Sequence, residues 1–374
     1  MPENRKKLKI TVISLTCAAV VLSGAVGTLY YLDVQKQRED IQNAVTEVPL
    51  AEIPEPVVDF DYDPNRPVYE TSRKFTVNTS KFSEKIYKNL TRDVRAEYSV
   101  LYDMNTDEIL FEENADKKCY PASTTKLLTA IVATKIITNP DTVITVGSEI
   151  KLIGEESSTA GLEEGMKLKF SDLMDAMMLP SGNDAAYTVA VNCSRIYKND
   201  KKLSNKEALN FFVELMNEAA VQLGATNSKF VNPDGWHSPN HYTTAKDLAK
   251  IAAYAKSIPL IAKSCSTHYA EMKPVKGEML YWVNGNLMLN DYYKCYSKYC
   301  DGLKTGFTDE AGSCIISSAT VENHTMIAVI MNGYDGYAKY DDANLLFKRG
   351  YKIYGIPYTY GVPNSQAGKP SSIP

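Results

Sequence analysis

The sequence is poor in the residues on which metal sites and many hydrolytic triads depend. Its 374 residues include four histidines and no C-x-x-C pair, so a structural metal site is not expected. No G-x-S-x-G segment occurs, which argues against a Ser-His-Asp hydrolase built on a nucleophile elbow. With 41 basic and 45 acidic residues the chain lacks a basic excess, which excludes a general nucleic-acid binder.

Long hydrophobic runs are also absent, with one exception near the start. Residues 10–32 contain no charged side chain, and as a helix they span roughly 34 Å, enough to cross a bilayer. Residues 1–9 carry four basic groups against one acidic group, which predicts a cytoplasmic tip and an exported remainder. We therefore expect a single-pass transmembrane signal-anchor. The alternative is a secreted protein whose signal peptide ends at Ala25.

The rest of the chain divides by composition into three segments. Residues 33–93 are polar and rich in proline, which predicts an extended extracytoplasmic stalk. Residues 94–357 have strand-like alternation at both ends and helical spacing between, which predicts an α/β domain with a mostly helical lobe over roughly 140–243. Residues 358–374 form a Pro/Ser-rich tail.

Local signals locate several elements of the globular part. Ser204 and Glu207 have the spacing of a capping box, and Thr244 is placed to cap another helix. The turn-forming residues 104–107 and 322–324 each separate two strand-like segments. The predicted strands are 98–102, 108–111, 313–321 and 325–331.

The seven cysteines leave two interpretations open. In an oxidising exterior, Cys295 and Cys300 are near enough in sequence to close a short disulfide loop. Six cysteines follow the predicted membrane segment, and they allow 15 complete pairings, among which sequence cannot choose. Buried free thiols are the other interpretation.

Three short polar segments have side chains suited to chemistry. The first is Ser123-Thr124-Thr125-Lys126, whose serine and lysine lie on one face where a helix begins. A neutral lysine amine there can take the proton of the serine hydroxyl. The same spacing recurs at Ser148 and Lys151, but no clear helix follows, and we interpret that copy as solvated surface.

The second and third segments add a loop and a strand. Ser181-Gly182-Asn183 offers a hydroxyl and a carboxamide, although a turn with a helix cap has the same composition. Lys304-Thr305-Gly306 places a cation and a hydroxyl beside a glycine, which suits binding of a carboxylate at close backbone approach.

In this order, S-x-x-K, S-x-N and K-T-G are the motifs of the penicillin-recognising serine enzymes. Over residues 94–357 the chain resembles the low-molecular-mass penicillin-binding proteins of peptidase family S11, the serine-type D-alanyl-D-alanine carboxypeptidases. The wider sequence agrees with that branch at residues 114–116, 179–186, 230–235 and 301–308. The resemblance implies a β-lactamase/transpeptidase-like α/β fold, with an antiparallel sheet flanked by helices. We expect the transmembrane helix to precede it.

The resemblance also implies roles for individual residues. Ser123 is expected to be the nucleophile that attacks the penultimate D-Ala carbonyl, and Lys126 its general base. Ser181 is expected to pass a proton to the leaving amine, and Asn183 to position the substrate and Lys126. The implied substrate-binding residues are Lys304 and Thr305 for the terminal carboxylate, and Gly306 and Phe307 beside the oxyanion hole, with the backbone N–H groups of Ser123 and Phe307 as its donors.

The same resemblance implies the partners and the location. The expected substrate is a peptidoglycan stem peptide ending in D-Ala-D-Ala, and β-lactams are the expected covalent inhibitors. No metal, cofactor or nucleic acid is needed. The expected location is the bacterial cell membrane, with the catalytic domain outside.

Three alternatives differ in function. A D,D-endopeptidase that cleaves peptidoglycan crosslinks has the same chemistry and differs only in pocket shape. A class A β-lactamase is disfavoured because Gly182 replaces the aspartate of its S-D-N loop and no E-x-x-L-N segment occurs. An inactive membrane-tethered wall-binding module predicts loss of one of the three motifs, yet all three are intact.

Overall fold

The computed structural model describes residues 66–361. The predicted cytoplasmic tip and transmembrane segment lie outside these residues, as do most of the predicted stalk and most of the tail. Within residues 66–361, no helix combines the length and the apolar character that crossing a bilayer requires.

A six-stranded sheet forms the centre of the described region. The strands of residues 66–361 are β1 (Thr76–Val77), β2 (Tyr98–Asp103), β3 (Glu108–Glu113), β4 (Lys118–Cys119), β5 (Val143–Thr145), β6 (Lys167–Lys169), β7 (Thr243–Thr244), β8 (Tyr269–Met272), β9 (Leu280–Val283), β10 (Cys300–Thr308), β11 (Gly312–Val321) and β12 (His324–Gly333). The order in the main sheet is β1-β3-β2-β12-β11-β10, in which only β1 and β3 pair in parallel. The predicted antiparallel sheet is thus present, with β10 at its edge.

Helices pack on both faces of this sheet. They are α1 (Glu84–Asp93), α2 (Lys126–Ile136), α3 (Phe170–Met178), α4 (Asn183–Tyr197), α5 (Asn205–Gln222), α6 (Ala245–Ser257), α7 (Pro259–Ser266) and α8 (Ala338–Ile353). Between residues 140 and 243 lie α3, α4 and α5, together with the short antiparallel pair of β5 and β6.

The sheet separates two apolar cores, because neighbouring residues of a strand point to opposite faces. On one face, Val100 of β2 and Val329 of β12 pack with α2 to α6. On the other face, Leu101 and Ala328 pack with α1 and α8. Both faces are therefore buried, and the edge strand β10 is left beside the helical lobe.

Local sequence signals explain how several helices and turns begin. The Ser204 hydroxyl accepts a hydrogen bond from the Glu207 N–H at 3.3 Å, and the Glu207 carboxylate accepts from the Ser204 N–H at 3.1 Å, which confirms the capping box. The Thr244 hydroxyl accepts from the Asp247 N–H at 3.1 Å and caps α6 as predicted. Glu322 and Asn323 have φ of 50° and 64°, the geometry of a tight hairpin turn between β11 and β12.

The start of the described region differs from the prediction. Residues 66–93 were expected to be part of an extended stalk, but they contain β1 and α1. The Tyr69 and Leu90 side chains are buried, one in each core. These elements are stabilised by contacts with distant residues, such as Gln222, whose side chain accepts from the Tyr69 N–H at 2.9 Å. Such contacts leave little trace in local composition.

The six cysteines of the described region are all free thiols. Cys295 is buried in the core that contains α8, while the Cys300 Sγ lies 3.4 Å from the Gly302 carbonyl oxygen. The short disulfide between Cys295 and Cys300 is therefore not formed in this structure, and the interpretation as free thiols applies.

Candidate active site

Ser123 and Lys126 meet where a 3-10 turn runs into α2. The turn covers Ala122–Thr125, and Lys126 is the first residue of the following helix. The Lys126 Nζ lies 2.9 Å from the Ser123 Oγ, within hydrogen-bonding distance. A spacing of three residues therefore places the amine directly beside the hydroxyl, as the sequence predicted.

Lys126 has no exposed surface and contacts three acceptors. Besides Ser123, its Nζ donates to the Asn183 Oδ1 at 2.7 Å and to the Asp234 carbonyl oxygen at 2.8 Å. Burial lowers the pKa of Lys126 to about 8, although the carboxylates of Asp234 and Asp184 act in the opposite direction. At pH 7.4 roughly a fifth of the amine is therefore neutral, against about 0.1% for a lysine in a free chain, and the neutral form is the one that a general base requires.

The Ser181-Gly182-Asn183 loop forms a second wall. Ser181 has φ of 63°, and its Oγ is buried without a hydrogen-bond partner. A Cβ at Gly182 would lie 2.8 Å from the Ala160 Cβ, so a larger residue there requires a shift of the loop. This crowding gives a physical reason why an S-D-N loop does not fit here.

A buried carboxylate anchors that loop. Asp184 accepts hydrogen bonds from the backbone N–H groups of Ala160 at 2.8 Å and Leu162 at 3.0 Å. On the other side, the Asn183 Nδ2 donates to the Ser157 Oγ at 3.0 Å. The segment before β6 and the start of α4 are thus joined, which holds the Asn183 carboxamide against Lys126.

The Lys304-Thr305-Gly306 segment lies on the edge strand β10. Lys304 is 1% exposed, and this burial is the main reason that its pKa is lowered. The charge of the nearby Lys126 ammonium lowers the pKa of Lys304 further. A Cβ at Gly306 would lie 3.0 Å from the Ser123 nitrogen, so the strand backbone passes close to the start of the 3-10 turn. Glycine at this position permits the approach.

These elements surround one cavity of about 620 Å³. The predicted site residues in its wall are Ser123, Ser181, Asn183, Thr305, Gly306 and Phe307. Lys126 and Lys304 are buried behind that wall. Phe307 is exposed at the mouth, and Trp236 is exposed there too. The structure therefore brings all eight predicted residues to one place.

Sequence reasoning missed other contributors to the site. One is the Asp234 carbonyl oxygen, which accepts from Lys126. The neighbouring Gly235 has φ of 88°, and a Cβ at this position would lie only 1.8 Å from the Ala122 carbonyl oxygen. A Pro-Asp-Gly run is typical of a tight turn, but nothing in the local sequence indicates that this turn packs against the segment that carries Ser123. Lys339, at the start of α8, also lines the cavity, and burial lowers its pKa.

The two histidines near the site have structural contacts. The His241 Nε2 lies 2.9 Å from the Thr125 Oγ1, and its Nδ1 accepts from the Val231 N–H at 3.2 Å. Burial lowers the pKa of His241 to about 3, so the ring is neutral. The His237 Nδ1 lies 3.5 Å from a Glu310 carboxylate oxygen at the cavity wall. The hydrogen-bond and ion-pair partners of the two rings are thus residues other than Ser123.

Across residues 66–361, no three His, Cys, Asp or Glu side chains cluster in a way that suits a metal ion. The groups that the site does hold are serine hydroxyls, lysine amines and backbone groups. In this arrangement the Ser123 hydroxyl contacts the buried Lys126 amine, and the neighbouring strand β10 carries a second amine, that of Lys304. The arrangement suits a covalent serine mechanism on a substrate with a carboxylate.

Comparison with known proteins identifies a family for this chain. The family model for D-alanyl-D-alanine carboxypeptidases, Peptidase S11, matches residues 83–335. The D-alanyl-D-alanine carboxypeptidase DacF of Bacillus subtilis is 28% identical, over 63% of this chain and 57% of that one. A D-alanyl-D-alanine endopeptidase of Pseudomonas aeruginosa is also 28% identical, over 69% of this chain and 77% of that one.

A solved structure agrees with these relatives. The crystal structure of the Streptomyces K15 DD-transpeptidase superimposes with a TM-score of 0.63 at 28% identity, covering 69% of this chain and 98% of that one. The chain spans between 57% and 62% of the length of three D-alanyl-D-alanine carboxypeptidases that it matches. The β-lactamase/transpeptidase-like fold implied by the motifs is confirmed. The protein belongs to the D-alanyl-D-alanine carboxypeptidase family, peptidase family S11.

Proposed function

We propose that the protein is a serine-type D-alanyl-D-alanine carboxypeptidase that removes the terminal D-alanine from peptidoglycan pentapeptide stems. The observation that carries this proposal is the 2.9 Å contact between the buried Lys126 amine and the Ser123 hydroxyl. Ser123 borders a cavity that is also lined by Thr305 and Gly306 of β10, with Lys304 buried beside them. Family membership supports the same chemistry.

In the acylation step, Ser123 Oγ attacks the carbonyl carbon of the penultimate D-Ala. Neutral Lys126 accepts the hydroxyl proton, and the amide bond to the terminal D-Ala breaks. The contact between Lys126 Nζ and the Asn183 Oδ1 at 2.7 Å supports a role for Asn183 in holding the amine in place. General-base assistance of this kind contributes roughly 10²- to 10⁴-fold to the rate.

Ser181 is the proposed carrier of the proton to the leaving amine. Its Oγ has no hydrogen-bond partner within the protein, and Ser181 lines the cavity, which supports a role for this hydroxyl toward a bound substrate. The left-handed backbone at Ser181 is a strained conformation of the kind that accumulates at functional sites, which supports the assignment.

The terminal carboxylate of the substrate is proposed to bind Lys304 and Thr305. Binding of that anion raises the pKa of the Lys304 amine, so Lys304 becomes protonated and pairs with the bound carboxylate. Lys339 lines the same cavity and adds a second cationic side chain. The Ser123 and Phe307 N–H groups are the proposed oxyanion-hole donors, each worth roughly 3 kcal/mol in other acyl-transfer enzymes. Water then hydrolyses the ester, and no cofactor takes part.

Because one relative is named an endopeptidase, cleavage of peptidoglycan crosslinks by the same site is a second candidate activity. One experiment separates the two. The full-length protein is incubated with a free pentapeptide stem and with a crosslinked dimer, and released D-alanine and monomer are quantified. Our proposal requires D-alanine release from the pentapeptide to be the faster reaction; faster cleavage of the dimer would assign an endopeptidase.

We also propose attachment to the bacterial cell membrane through residues 10–32, with the catalytic domain outside. The proposal rests on the uncharged run and the basic residues before it. Fractionation of cells that express the full chain, or a chain lacking residues 10–32, tests it. Recovery in the medium of a chain that lacks residues 1–25 would favour signal-peptide cleavage at Ala25 instead.

A further inference from the structure

The hairpin of β8 and β9 has one buried face and one exposed face, on which two tyrosines and a valine surround the Glu271 carboxylate. Met272 and Trp282 point inward and are buried in the core. On the outer face, Tyr269 pairs in register with Val283, and Tyr281 pairs with Glu271. We call the exposed side chains of Tyr269, Tyr281 and Val283 the tyrosine face. Apolar side chains grouped on a surface in this way often mark a binding site.

The hairpin that carries the tyrosine face is attached to the wall of the active-site cavity. The Trp282 Nε1 donates to the Ala160 carbonyl oxygen at 2.8 Å, next to the segment that carries Ser157 and Ser158 of the cavity wall. After β9 the chain reaches Gly285, whose N–H donates to the Leu179 carbonyl oxygen at 3.1 Å. The hairpin is therefore fixed to the walls of the cavity.

Gly285 also fixes the distance from the site. A Cβ at Gly285 would lie 3.2 Å from the Thr305 Oγ1. Val283 and Tyr281 precede Gly285 by two and four residues, which places them about 7 and 14 Å along an extended chain. A stem peptide extends about 14 Å over the four residues between its scissile bond and its sugar. A stem bound at Ser123 can therefore present its sugar to the tyrosine face.

The chemistry of the hairpin suits an uncharged, ring-bearing polymer. Residues 269–283 contain two lysines and two glutamates, so they give no net attraction to an anionic lipid surface. Tyrosine rings have a π-face that accepts the C–H edge of a sugar ring, and a hydroxyl that remains in water. Val283 adds an aliphatic surface for methyl groups such as those of N-acetylated amino sugars.

We propose that the tyrosine face binds the glycan strand to which the stem peptide is attached. This inference rests on the proposed carboxypeptidase activity and adds to it a preference for stems on polymeric glycan over free stem peptides. Tyr269 and Tyr281 act by positioning the substrate and take no part in the chemical step.

The test compares two substrates with the full-length protein. One is a free pentapeptide, and the other is the same pentapeptide on uncrosslinked polymeric glycan. The Tyr269→Ala/Tyr281→Ala variant should lower kcat/KM on the glycan-bound substrate about tenfold, and leave kcat/KM on the free peptide within about twofold. Tyr281→Phe should retain most of the preference, since the ring remains.

The chain offers a matched control. Tyr292 is 59% exposed, close to the 61% of Tyr281, but it lies outside the hairpin. Tyr292→Ala should leave both substrates unaffected. A ratio of glycan-bound to free-peptide activity that is unchanged in the double variant overturns the proposal. An equal loss on both substrates overturns it as well. So does a double variant whose protein changes from a dimer to a monomer while the ratio stays the same.

A binding measurement keeps this test independent of the proposed activity. Ser123→Ala protein is titrated calorimetrically with a β-1,4-linked N-acetylglucosamine hexamer, with and without the two tyrosine substitutions. We expect binding that the substitutions weaken about tenfold. No binding to the tyrosine-intact protein contradicts the glycan proposal. A wild-type protein that binds the hexamer but releases no D-alanine contradicts only the proposed function.

Discussion

Two segments of this chain share the spacing Ser-x-x-Lys, and the structure places their lysines in opposite environments. Lys126 follows a 3-10 turn, has no exposed surface and donates to three acceptors. Lys151 lies in another 3-10 turn, Ser148–Leu152, but its side chain is 69% exposed and pairs with Glu164 at 2.6 Å. The shared spacing therefore does not distinguish the two.

The difference arises from what packs around each lysine. The Pro-Asp-Gly turn at Asp234 and the loop at Asn183 both close over Lys126. Burial then lowers the pKa of Lys126 to about 8. The second segment lies at the surface, where Ser148 accepts a hydrogen bond from the Asn205 side chain at 3.1 Å. A general base thus depends on tertiary enclosure as much as on the motif.

Alanine substitution of the two serines gives the largest expected contrast. Ser123→Ala removes the attacking oxygen, and the rate of labelling by a fluorescent penicillin should fall by at least about 10⁴-fold. Ser148→Ala is the matched control and should label like the wild type. Equal covalent labelling of the wild type and Ser123→Ala would remove Ser123 as the nucleophile.

The lysines should differ nearly as much. Lys126→Met removes the proposed base while keeping an unbranched side chain, and we expect D-alanine release to fall about 10²- to 10⁴-fold. Lys151→Met changes an exposed side chain and should stay within twofold of the wild type. Similar losses in both variants would show that the enclosure of Lys126 has no catalytic consequence.

The pH dependence of acylation sharpens the comparison further. Because Lys126 must be neutral to accept a proton, the rate should rise with pH and level off above the pKa of about 8. Between pH 7 and the plateau the expected increase is about tenfold. Stopped-flow measurement of penicillin acylation gives this profile, and a rate that is flat from pH 6 to 9 is the contrary result.

The smallest effect concerns stability. The pKa of Lys126 falls from 10.5 in a free chain to about 8 in the fold, so the native state binds fewer protons between those values. The free energy of unfolding attributable to Lys126 should therefore rise with pH from about 8 to 10.5, by at most about 1.4 kcal/mol per unit. Urea unfolding of the wild type and Lys126→Met at pH 7.5, 8.5 and 9.5 measures the difference. Parallel curves for the two proteins contradict the shift.

Much of the architecture follows from local patterns. The capping box at Ser204, the cap at Thr244 and the turn at 322–324 each depend on neighbours within a few residues, and all three form. The missed elements depend on distant contacts. Residues 66–93 pack through Tyr69 and Leu90 onto remote elements, and α8, which brings Lys339 to the cavity, was not predicted from the sequence.

The sequence alone determined the ordered motifs, the family they resemble and the eight residues that meet at the cavity, because residue type and order are sufficient for these. Tertiary structure decided which of two Ser-x-x-Lys segments is enclosed, that Asp234 supplies a backbone acceptor and that the hairpin of β8 and β9 is attached to the cavity wall. Enclosure and proximity depend on residues far apart in the chain. Burial of an amine changes its protonation only after the fold has removed it from water.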